Sequence, residues 1–393
     1  MTKPANSKYS PYKITSGIKA GWISFRMFLH VFILALKQNK NPFTAFGNLK
    51  KFADKRKLIQ GYERIPRYVN TGGKYHFADQ IPGFPSKTFD RFFEQEMIRI
   101  EGKSQQKIMM NTIIFSITSR CMLKCVHCFE WDNIDSQEHL RPQDLFLILE
   151  KLKLLGLTHI QFGGGEPLVR FDDLLTLIEN VKNSMDCWLL TSGFGLTAEK
   201  ARALKKAGLT GASISLDHWE EEAHNTFRNH EKSYHWVYLA VKNCREAGII
   251  VCLTLCAAKQ FATEENIRKY YELARDWGAG FIKILEARKT GLFRGKDVIL
   301  NAEQVQMLMD FYRQSYSNKT YHNYPIVMFP GFDQRQAGCL GAGNRYMYID
   351  SKGEIHACPF CHGSVGSALH ENLPDNILKL RQSGCQVFNL SNF

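Results

Sequence analysis

Residues 112–128 decide the fold, and they read TIIFSITSRCMLKCVHC. The first seven of them are rich in β-branched side chains and predict a buried β-strand. Three cysteines follow directly, Cys121, Cys125 and Cys128, with the spacing CxxxCxxC. The sequence therefore predicts a strand that ends in a loop carrying three thiols.

Beyond this stretch, short β-like runs alternate with amphipathic helical runs such as 141–156 and 266–279. Six runs predict strands, at 112–118, 159–164, 187–192, 211–217, 250–256 and 281–287. Strand–helix alternation predicts a parallel sheet with helical crossovers. Six units predict an α/β fold with a partial (β/α)6 barrel, because a closed barrel of this type needs eight. Parallel barrels carry their chemistry at the carboxyl ends of the strands, where the cysteine loop falls.

Three thiolates on one loop can hold three irons of a cubic [4Fe–4S] cluster, whose usual ligands are thiolates. The fourth iron stays open, as a catalytic zinc keeps a free position, and it can chelate the amino and carboxylate groups of S-adenosylmethionine. An electron from the cluster would cleave the C5′–S bond to a 5′-deoxyadenosyl radical. The alternative is a structural zinc site, although such sites favour CxxC pairs and four ligands.

The second predicted strand ends in GGGEP, residues 163–167. Glycines let a ligand approach the backbone closely, so backbone groups there could hold the amino group of the methionine moiety. With both loops in place, residues 112–320 resemble the radical S-adenosylmethionine enzyme superfamily. That resemblance implies hydrogen abstraction from an unactivated substrate carbon, and a one-electron reductant such as flavodoxin or ferredoxin.

The resemblance also implies residues that contact S-adenosylmethionine. His127 stands where the family has an aromatic residue packed on the adenine, and it still offers a flat ring. The implied contacts are His127, Gly163, Gly164, Gly165, Glu166, Ser192, Ser215, Asp217 and Arg228. For the last four, the alternative is an ordinary polar residue at a strand end or a helix cap.

A second group of cysteines lies near the C-terminus: Cys339, Cys358, Cys361 and Cys385. The run MYIDSKGEIHAC predicts a β-hairpin that brings Cys339 and Cys358 together, and CPFC adds Cys361. Four thiolates can fill every site of a second [4Fe–4S] cluster, with zinc on the same ligands as the alternative. The Cx13Gx4C spacing resembles the auxiliary-cluster extensions called SPASM and twitch. The full seven-cysteine SPASM pattern is absent, so the resemblance implies the shorter twitch form with one auxiliary cluster.

The net charge of +13 belongs to residues 1–110, which hold 20 Lys+Arg and seven Asp+Glu. Within them, 22–36 (WISFRMFLHVFILAL) predicts a helix whose Arg26 and His30 form a narrow polar stripe. This helix is short for a membrane span and suits a helix that lies in the interface of an anionic membrane. The basic residues that follow it, up to position 60, would then contact the anionic headgroups. The alternative is a helix that docks on the catalytic domain.

Composition narrows the class of protein. The 393 residues are 44% hydrophobic and 23% charged, which excludes a largely disordered or fibrous chain. Without a signal peptide or a disulfide scaffold, we expect a cytoplasmic protein, peripheral on the inner face of the membrane, with no nucleic-acid partner.

We expect a basic N-terminal extension (1–110, with an extended connector after its helices), a radical S-adenosylmethionine barrel (111–325) and a twitch-like auxiliary cluster domain (326–393). The membrane signal favours a lipid-linked substrate. Two alternatives remain: a peptide-modifying maturase, and a zinc-binding barrel protein with no enzymatic activity.

Overall fold

A computed structural model describes residues 12–39, 41–60, 65–101, 110–135, 137–370 and 372–383. Its strands are β1 (Lys13–Thr15), β2 (Tyr68–Thr71), β3 (Lys74–His76), β4 (Thr112–Ser116), β5 (His159–Gly163), β6 (Asp186–Thr191), β7 (Gly211–Ser215), β8 (Ile250–Ala257), β9 (Phe281–Glu286), β10 (Ile326–Met328), β11 (Tyr346–Ile349), β12 (Glu354–Cys358) and β13 (Cys361–Ser367). Its α-helices are α1 (Gly17–Asn39), α2 (Pro42–Gln60), α3 (Lys87–Ile100), α4 (Pro142–Leu154), α5 (Phe171–Val181), α6 (Ala198–Ala207), α7 (Glu221–Arg228), α8 (Ser233–Ala247), α9 (Glu264–Asp276), α10 (Ala302–Ser317), α11 (Pro330–Ala337) and α12 (Leu373–Ser383).

Strands β4 to β9 pair in parallel and in chain order, which confirms the α/β fold and the six predicted strands. The sheet is larger than predicted, because β10 joins β9 in parallel and β11 joins β4 in parallel. Strand β10 has only three residues, too few to show a period in the sequence.

The crossover helices cover the sheet with one apolar face each. Helix α5 is typical, since Leu174, Leu177, Ile178 and Val181 recur at helical spacing and are fully buried. Each such side chain stabilises the fold by roughly 1.5–3 kcal/mol. This packing holds the strand ends, and the loops that follow them, in fixed positions.

The C-terminal extension continues the sheet instead of forming a separate layer. Strands β11, β12 and β13 form an antiparallel meander, with the predicted hairpin between β11 and β12. Asp350 stabilises its turn by accepting hydrogen bonds from the backbone N–H groups of Lys352 and Glu354, both at 2.9 Å. Because β12 runs opposite to β11 and β4, its last residue, Cys358, lies near the amino end of β4.

The prediction of an extended connector before the barrel is wrong for most of the residues that the structure describes there. Strands β2 and β3 form a three-stranded sheet with β1, and α3 follows. Ser86 caps α3 by accepting a hydrogen bond from Phe89 N–H, and Phe92, Phe93 and Met97 form its buried face. The Pro- and Gly-rich stretches form the turns between these elements and do not extend through them.

Helix α1 has 23 residues, more than the 22–36 that the apolar run predicted, because polar residues continue it at both ends. It is long and apolar enough, by length and composition, to cross a membrane. Ala20, Ile23, Met27 and Val31 are buried in one core with α2 and α3. Helix α1 therefore docks on its own N-terminal layer, while its other face stays exposed.

The N-terminal sheet covers the amino ends of β6, β8 and β9. Val69 of β2 packs against Trp188, Ile250 and Phe281, which stand at or near the starts of β6, β8 and β9. Asp79, beyond β3, forms a buried ion pair with Lys283 of β9. The opposite end, where the cysteine loop follows β4, is left to the functional site.

Candidate functional site

The three cysteines after β4 line one cavity of about 1390 Å³. Cys125 is buried, whereas Cys121 and Cys128 are half-buried. Neighbouring segments hold their loop from outside: Val126 N–H donates to Phe227 O of α7 at 3.1 Å, and Leu292 N–H donates to Cys128 O at 3.1 Å. Their shared position agrees with the sequence prediction that the three thiols act as one ligand set.

Burial raises the pKa of the Cys121 and Cys128 thiols to about 12. Burial also raises the pKa of Cys125, against the lowering effect of the Arg228 charge. Thiols in such surroundings stay protonated until a metal displaces the proton. The set is therefore suited to a bound metal centre and unsuited to acting as a free nucleophile.

The donor set bears on the kind of metal centre that these residues could hold. Within the described ranges, no three His, Cys, Asp or Glu side chains converge as the ligands of one metal ion must. Three thiols on one loop suit a cubic [4Fe–4S] cluster, whose usual ligands are thiolates, and they leave its fourth iron open.

The glycine loop after β5 packs directly on the cysteine loop. Gly165 N–H donates to Thr118 O at 2.9 Å, and a Cβ on Gly165 would lie 2.3 Å from Arg120 O. Gly164 has φ +147°, and a Cβ there would lie 2.5 Å from Thr118 O. The neighbouring backbone therefore leaves no room for a side chain at either position. All of Gly163, Gly164 and Gly165 line the cavity, as their predicted role needs.

The Glu166 side chain does not line the cavity, so the predicted contact of the GGGEP loop with S-adenosylmethionine is left to backbone groups and to the glycines. The carboxylate is fully buried and accepts four hydrogen bonds. Oε1 accepts from Thr191 Oγ1 at 2.8 Å and Leu168 N–H at 3.1 Å; Oε2 accepts from Ser192 N–H at 2.8 Å and Ser192 Oγ at 2.5 Å. Glu166 is therefore a positioning residue that joins the glycine loop to the end of β6.

Ser192 and Ser215, at or just beyond the ends of β6 and β7, both line the cavity as predicted. The Ser192 hydroxyl is engaged with Glu166, which fixes its rotamer. Ser215 is half-buried at the wall. Both hydroxyls stand at the strand ends where a nucleoside bound beside the cysteine loop would pass.

Asp217 and Arg228 line the cavity as a buried ion pair. Arg228 Nε lies 2.6 Å and Nη2 2.5 Å from Asp217 Oδ2, and Nη1 lies 3.7 Å from Cys125 Sγ. Burial would raise the pKa of Asp217, but the Arg228 charge, helped by His127, His224 and Cys256 N–H, lowers it. The family resemblance implied a contact of Arg228 with S-adenosylmethionine, and the structure adds a contact with the Cys125 thiol.

His127, for which the resemblance implies a position beside the adenine, lines the cavity with its ring. The ring stacks on Phe227, with centroids 4.6 Å apart and planes at 28°. Burial first, and then the Arg228 charge, lowers its pKa to about 4. The ring is therefore neutral at pH 7 and serves as an apolar surface.

The second group of cysteines lines the same cavity from its other end. Cys358 Sγ and Cys361 Sγ are 3.4 Å apart across the β12–β13 turn, and Cys339 lines the wall beside them. Cys385 lies outside the described residues. Topology puts these thiols near the amino end of β4 and the first group beyond its carboxyl end, so a substrate inside the barrel lies between two sulfur-lined ends.

Sequence reasoning missed the polar wall between these ends. Gln161, Thr254 and Lys283 line the cavity from three different strands. The available signal for this polar wall was Lys283 inside the otherwise apolar run FIKIL, because a buried charge needs a partner. Its partner, Asp79, lies in the N-terminal layer and could not be inferred from local pattern.

Residues 115–274, which hold the cysteine loop, the glycine loop and the Asp217–Arg228 pair, match the Radical SAM superfamily. The barrel belongs to the radical SAM superfamily.

Two curated relatives show how far the similarity extends along the chain. The GTP 3′,8-cyclase of Clostridium botulinum is 36% identical over 118 residues, 29% of this chain and 37% of that protein. The AdoMet-dependent heme synthase of Methanosarcina barkeri is 24% identical over 270 residues, 63% of this chain and 76% of that protein. This chain thus spans little more than a third of the length of the first curated relatives it matches.

Solved structures of similar fold extend the likeness over more of the chain than the family model matches. Streptococcus suis SuiB bound to precursor peptide SuiA has a TM-score of 0.56 at 16% identity, covering 88% of this chain and 80% of SuiB. Native anSMEcpe with bound AdoMet has a TM-score of 0.54 at 17% identity, covering 70% and 83%. At this identity the likeness concerns the fold: a partial radical SAM barrel with a C-terminal antiparallel extension like that of SPASM enzymes.

Proposed function

We propose that the chain is an enzyme that cleaves S-adenosylmethionine reductively and abstracts hydrogen from a substrate held in the barrel. The observation that carries the proposal is the shared cavity of the CxxxCxxC loop and the glycine loop, each at the carboxyl end of a neighbouring strand. Cys121, Cys125 and Cys128 would hold a [4Fe–4S] cluster. Once loaded, that cluster supplies one electron to break the C5′–S bond, giving methionine and a 5′-deoxyadenosyl radical.

The chain's own residues orient the reactants and exclude water. Glycines 163–165 allow the backbone to lie against the methionine end, while His127 and Phe227 offer a flat apolar surface to the adenine. Arg228 keeps its charge beside Cys125 because Asp217 holds its pKa above the usual value despite burial. The hydrogen atom abstracted from the substrate carbon ends on C5′ as 5′-deoxyadenosine.

Replacement of one cysteine tests the catalytic assignment. Cys125→Ala, reconstituted anaerobically with iron and sulfide and reduced with dithionite, should form no 5′-deoxyadenosine, because the cluster loses one of three ligands. Cys244→Ala is the matched control: Cys244 is buried in α8 and does not line the cavity. It should keep the activity of the unmodified protein. Full activity of Cys125→Ala would contradict the proposal.

Cys339, Cys358 and Cys361, with Cys385, would hold an auxiliary [4Fe–4S] cluster at the amino end of the barrel. The shared cavity and the position of Cys358 and Cys361 on either side of one β-turn support this assignment. A cluster there could accept the electron that the substrate radical loses, which makes the overall reaction a two-electron oxidation. A flavodoxin or ferredoxin would supply the one-electron reductant.

Metal analysis tests the auxiliary site and its zinc alternative together. The reconstituted protein should contain about eight irons and eight acid-labile sulfides per chain. Cys358→Ala with Cys361→Ala should lose about four of each, because two remaining thiolates cannot keep a cubic cluster. Cys252→Ala, in the buried strand β8, is the control and should lose none. Stoichiometric zinc without sulfide would favour a zinc-stabilised barrel protein.

For the substrate, we propose a lipid-linked molecule reached from an anionic membrane surface. Helix α1 and the start of α2 support this, since Trp22, Phe25, Ile33 and Phe43 are exposed beside the exposed basic side chains Lys19, Arg26, Lys37, Lys50 and Lys51. The protein would then act at the cytoplasmic face of the membrane. A precursor peptide is the second candidate, because the SuiB structure of similar fold holds one.

A further inference from the structure

The cavity changes character along its length. At the cysteine loop and through the barrel its wall mixes polar groups with apolar side chains such as Ile114, Leu190 and Leu285, whereas beyond the amino end of β4 it reaches the N-terminal helices. There the wall is formed by apolar side chains, here called the apolar lobe: Met27, Phe52, Ile81, Phe92, Phe93 and Ile100. Met27 belongs to α1, the helix whose opposite face exposes Trp22 and Phe25. One helix therefore borders both the lobe and the exposed apolar surface.

A group of arginines lines the cavity next to the apolar lobe: Arg99 of α3, Arg345 before β11 and Arg381 of α12. Glu96 pairs with two of them, through Arg99 Nη1 and through Arg345 Nη1 at 2.7 Å. Arg99 Nη2 also donates to Asn111 Oδ1 at 2.9 Å, and Arg381 Nε donates to Gly343 O at 3.1 Å. Three segments far apart in sequence thus bring three guanidinium groups to one part of the wall.

Among the described residues, this arginine cluster carries more positive than negative charge. Elsewhere on the wall, Arg228 and Lys283 each face a carboxylate of their own, Asp217 and Asp79. Here Glu96, whose side chain is only 4% exposed, pairs with Arg99 and Arg345, and no ion pair among the described residues gives Arg381 a carboxylate. Burial first lowers the pKa of Arg99, and the charges of Arg345 and Arg381 lower it further although Glu96 opposes them. An excess of partly buried positive charge is stabilised by a bound anion, and guanidinium groups match phosphate best.

From the arginines inward, the wall offers polar groups toward the cysteine loop. Gln161, on β5, is 2% exposed and lines the cavity. Its Nε2 has no hydrogen-bond acceptor among the residues that the structure describes. A buried amide without a partner costs stability unless a ligand satisfies it. The barrel interior is therefore suited to a polar group with acceptor oxygens.

We propose that the substrate is a lipid phosphate ester: its apolar chain lies in the apolar lobe, its phosphate binds Arg99, Arg345 and Arg381, and its polar headgroup extends past Gln161 toward the cysteine loop. This proposal rests on the proposed function and names its substrate class. The order of the three zones matches an amphiphile that enters from the membrane side with its headgroup first. Binding of the phosphate to the three arginines sets how far the lipid enters the barrel.

Equilibrium binding tests the proposal without relying on turnover. We would measure the Kd of the anaerobically reconstituted protein for geranylgeranyl phosphate and for geranylgeraniol, which shares the chain and lacks the phosphate. The phosphate should bind at least about tenfold more tightly, since hydrogen bonds to charged partners are the strong ones. Arg345→Gln with Arg381→Gln should remove most of that difference. Arg202→Gln, an exposed arginine of α6 paired with Glu199, should leave it unchanged.

Three results would overturn the proposal: equal Kd values for the two lipids, an unchanged Kd in the double variant, or full displacement of the lipid by millimolar inorganic phosphate. The last would indicate a site for a soluble phosphate compound. Formation of 5′-deoxyadenosine without added substrate, measured on the same samples, reports the proposed function separately. It should persist in the double variant, because neither arginine contacts the cysteine loop.

Discussion

Glu166 shows how one buried side chain can set the geometry of a site that it does not touch. Burial raises the pKa of its carboxyl, and the donors from Ser192, Thr191 and Leu168 lower it again, though not fully. Those donors come from two different strand ends, so the carboxylate fixes the separation of the glycine loop and β6. Affinity for S-adenosylmethionine should depend on that separation.

Glu166→Gln should weaken cosubstrate binding and leave the cluster in place. An amide has one acceptor oxygen where the carboxylate has two, so a buried N–H or hydroxyl loses its acceptor at a cost of about 1–3 kcal/mol. We expect a lower melting temperature and a higher KM for S-adenosylmethionine, with unchanged iron content. Glu199→Gln, an exposed surface change, is the control. An unchanged KM would show that Glu166 has only a general structural role.

At the residue scale, sequence reasoning located ligands better than it located their supports. Cys121, Cys125 and Cys128 and the three glycines could be predicted because each set is local and follows a strand. The role of Glu166 could not, since its partners Thr191 and Ser192 are about 25 residues away and a GGGEP motif does not show which atoms the carboxylate meets.

Among the elements, α1 is the one whose two faces differ most. Its buried stripe packs with α2 and α3, so removing residues 1–60 would expose Phe89, Phe92 and Phe93 and destabilise the layer. Membrane contact is therefore better tested by changing the exposed face alone. Trp22 and Phe25 are 59% and 49% exposed.

Trp22→Ser with Phe25→Ser should reduce co-sedimentation with vesicles of phosphatidylglycerol, because two large apolar side chains no longer enter the interface. Raised salt should weaken binding of the unmodified protein only in part, since the apolar contribution is not screened. Leu154→Ser, at an 88% exposed site on α4, is the control and should sediment as the unmodified protein does. Equal sedimentation of all three proteins would remove the membrane proposal.

Helix α3 shows why the N-terminal layer was harder to predict than the barrel. Its apolar residues recur at helical spacing, but Pro- and Gly-rich segments before it suggested extended chain. The barrel helices lie between strands of a repeating pattern, which supports each assignment. The N-terminal elements have no such neighbours, and their core forms only among themselves.

For the molecule as a whole, the buried groups under the N-terminal sheet predict sensitivity to acid. Burial is the main cause that lowers the pKa of His76 to about 3 and that of His159 to about 4, and it raises the pKa of Asp186 to about 6. Between pH 6.5 and 4 the unfolded chain binds protons at both histidines and the folded chain does not. Stability is therefore lost as the pH falls through this window.

Between pH 7 and 5, each histidine should lower the free energy of unfolding by about 2 kcal/mol. Asp186 binds a proton in the folded state over the same range, which should raise the free energy of unfolding by about 1 kcal/mol. Urea unfolding at the two pH values measures the loss of stability, to which these three groups together contribute about 3 kcal/mol. His159→Gln should flatten the pH dependence. The control His370→Gln, at an exposed turn, should not. Greater stability at pH 5 than at pH 7 would contradict the assignment.

The contacts between the N-terminal layer and the barrel join residues that are added to the chain at very different times during synthesis. Tyr12 donates a hydrogen bond to Gly278 O across 266 residues of chain, and Arg67 donates to Tyr321 O across 254. On the ribosome, the first hundred residues emerge long before those partners exist. Contacts of such long sequence separation slow folding, and apolar surface exposed in the meantime favours aggregation. Slow synthesis at low temperature should therefore raise the yield of soluble protein, with the N-terminal layer the last part to reach its final place.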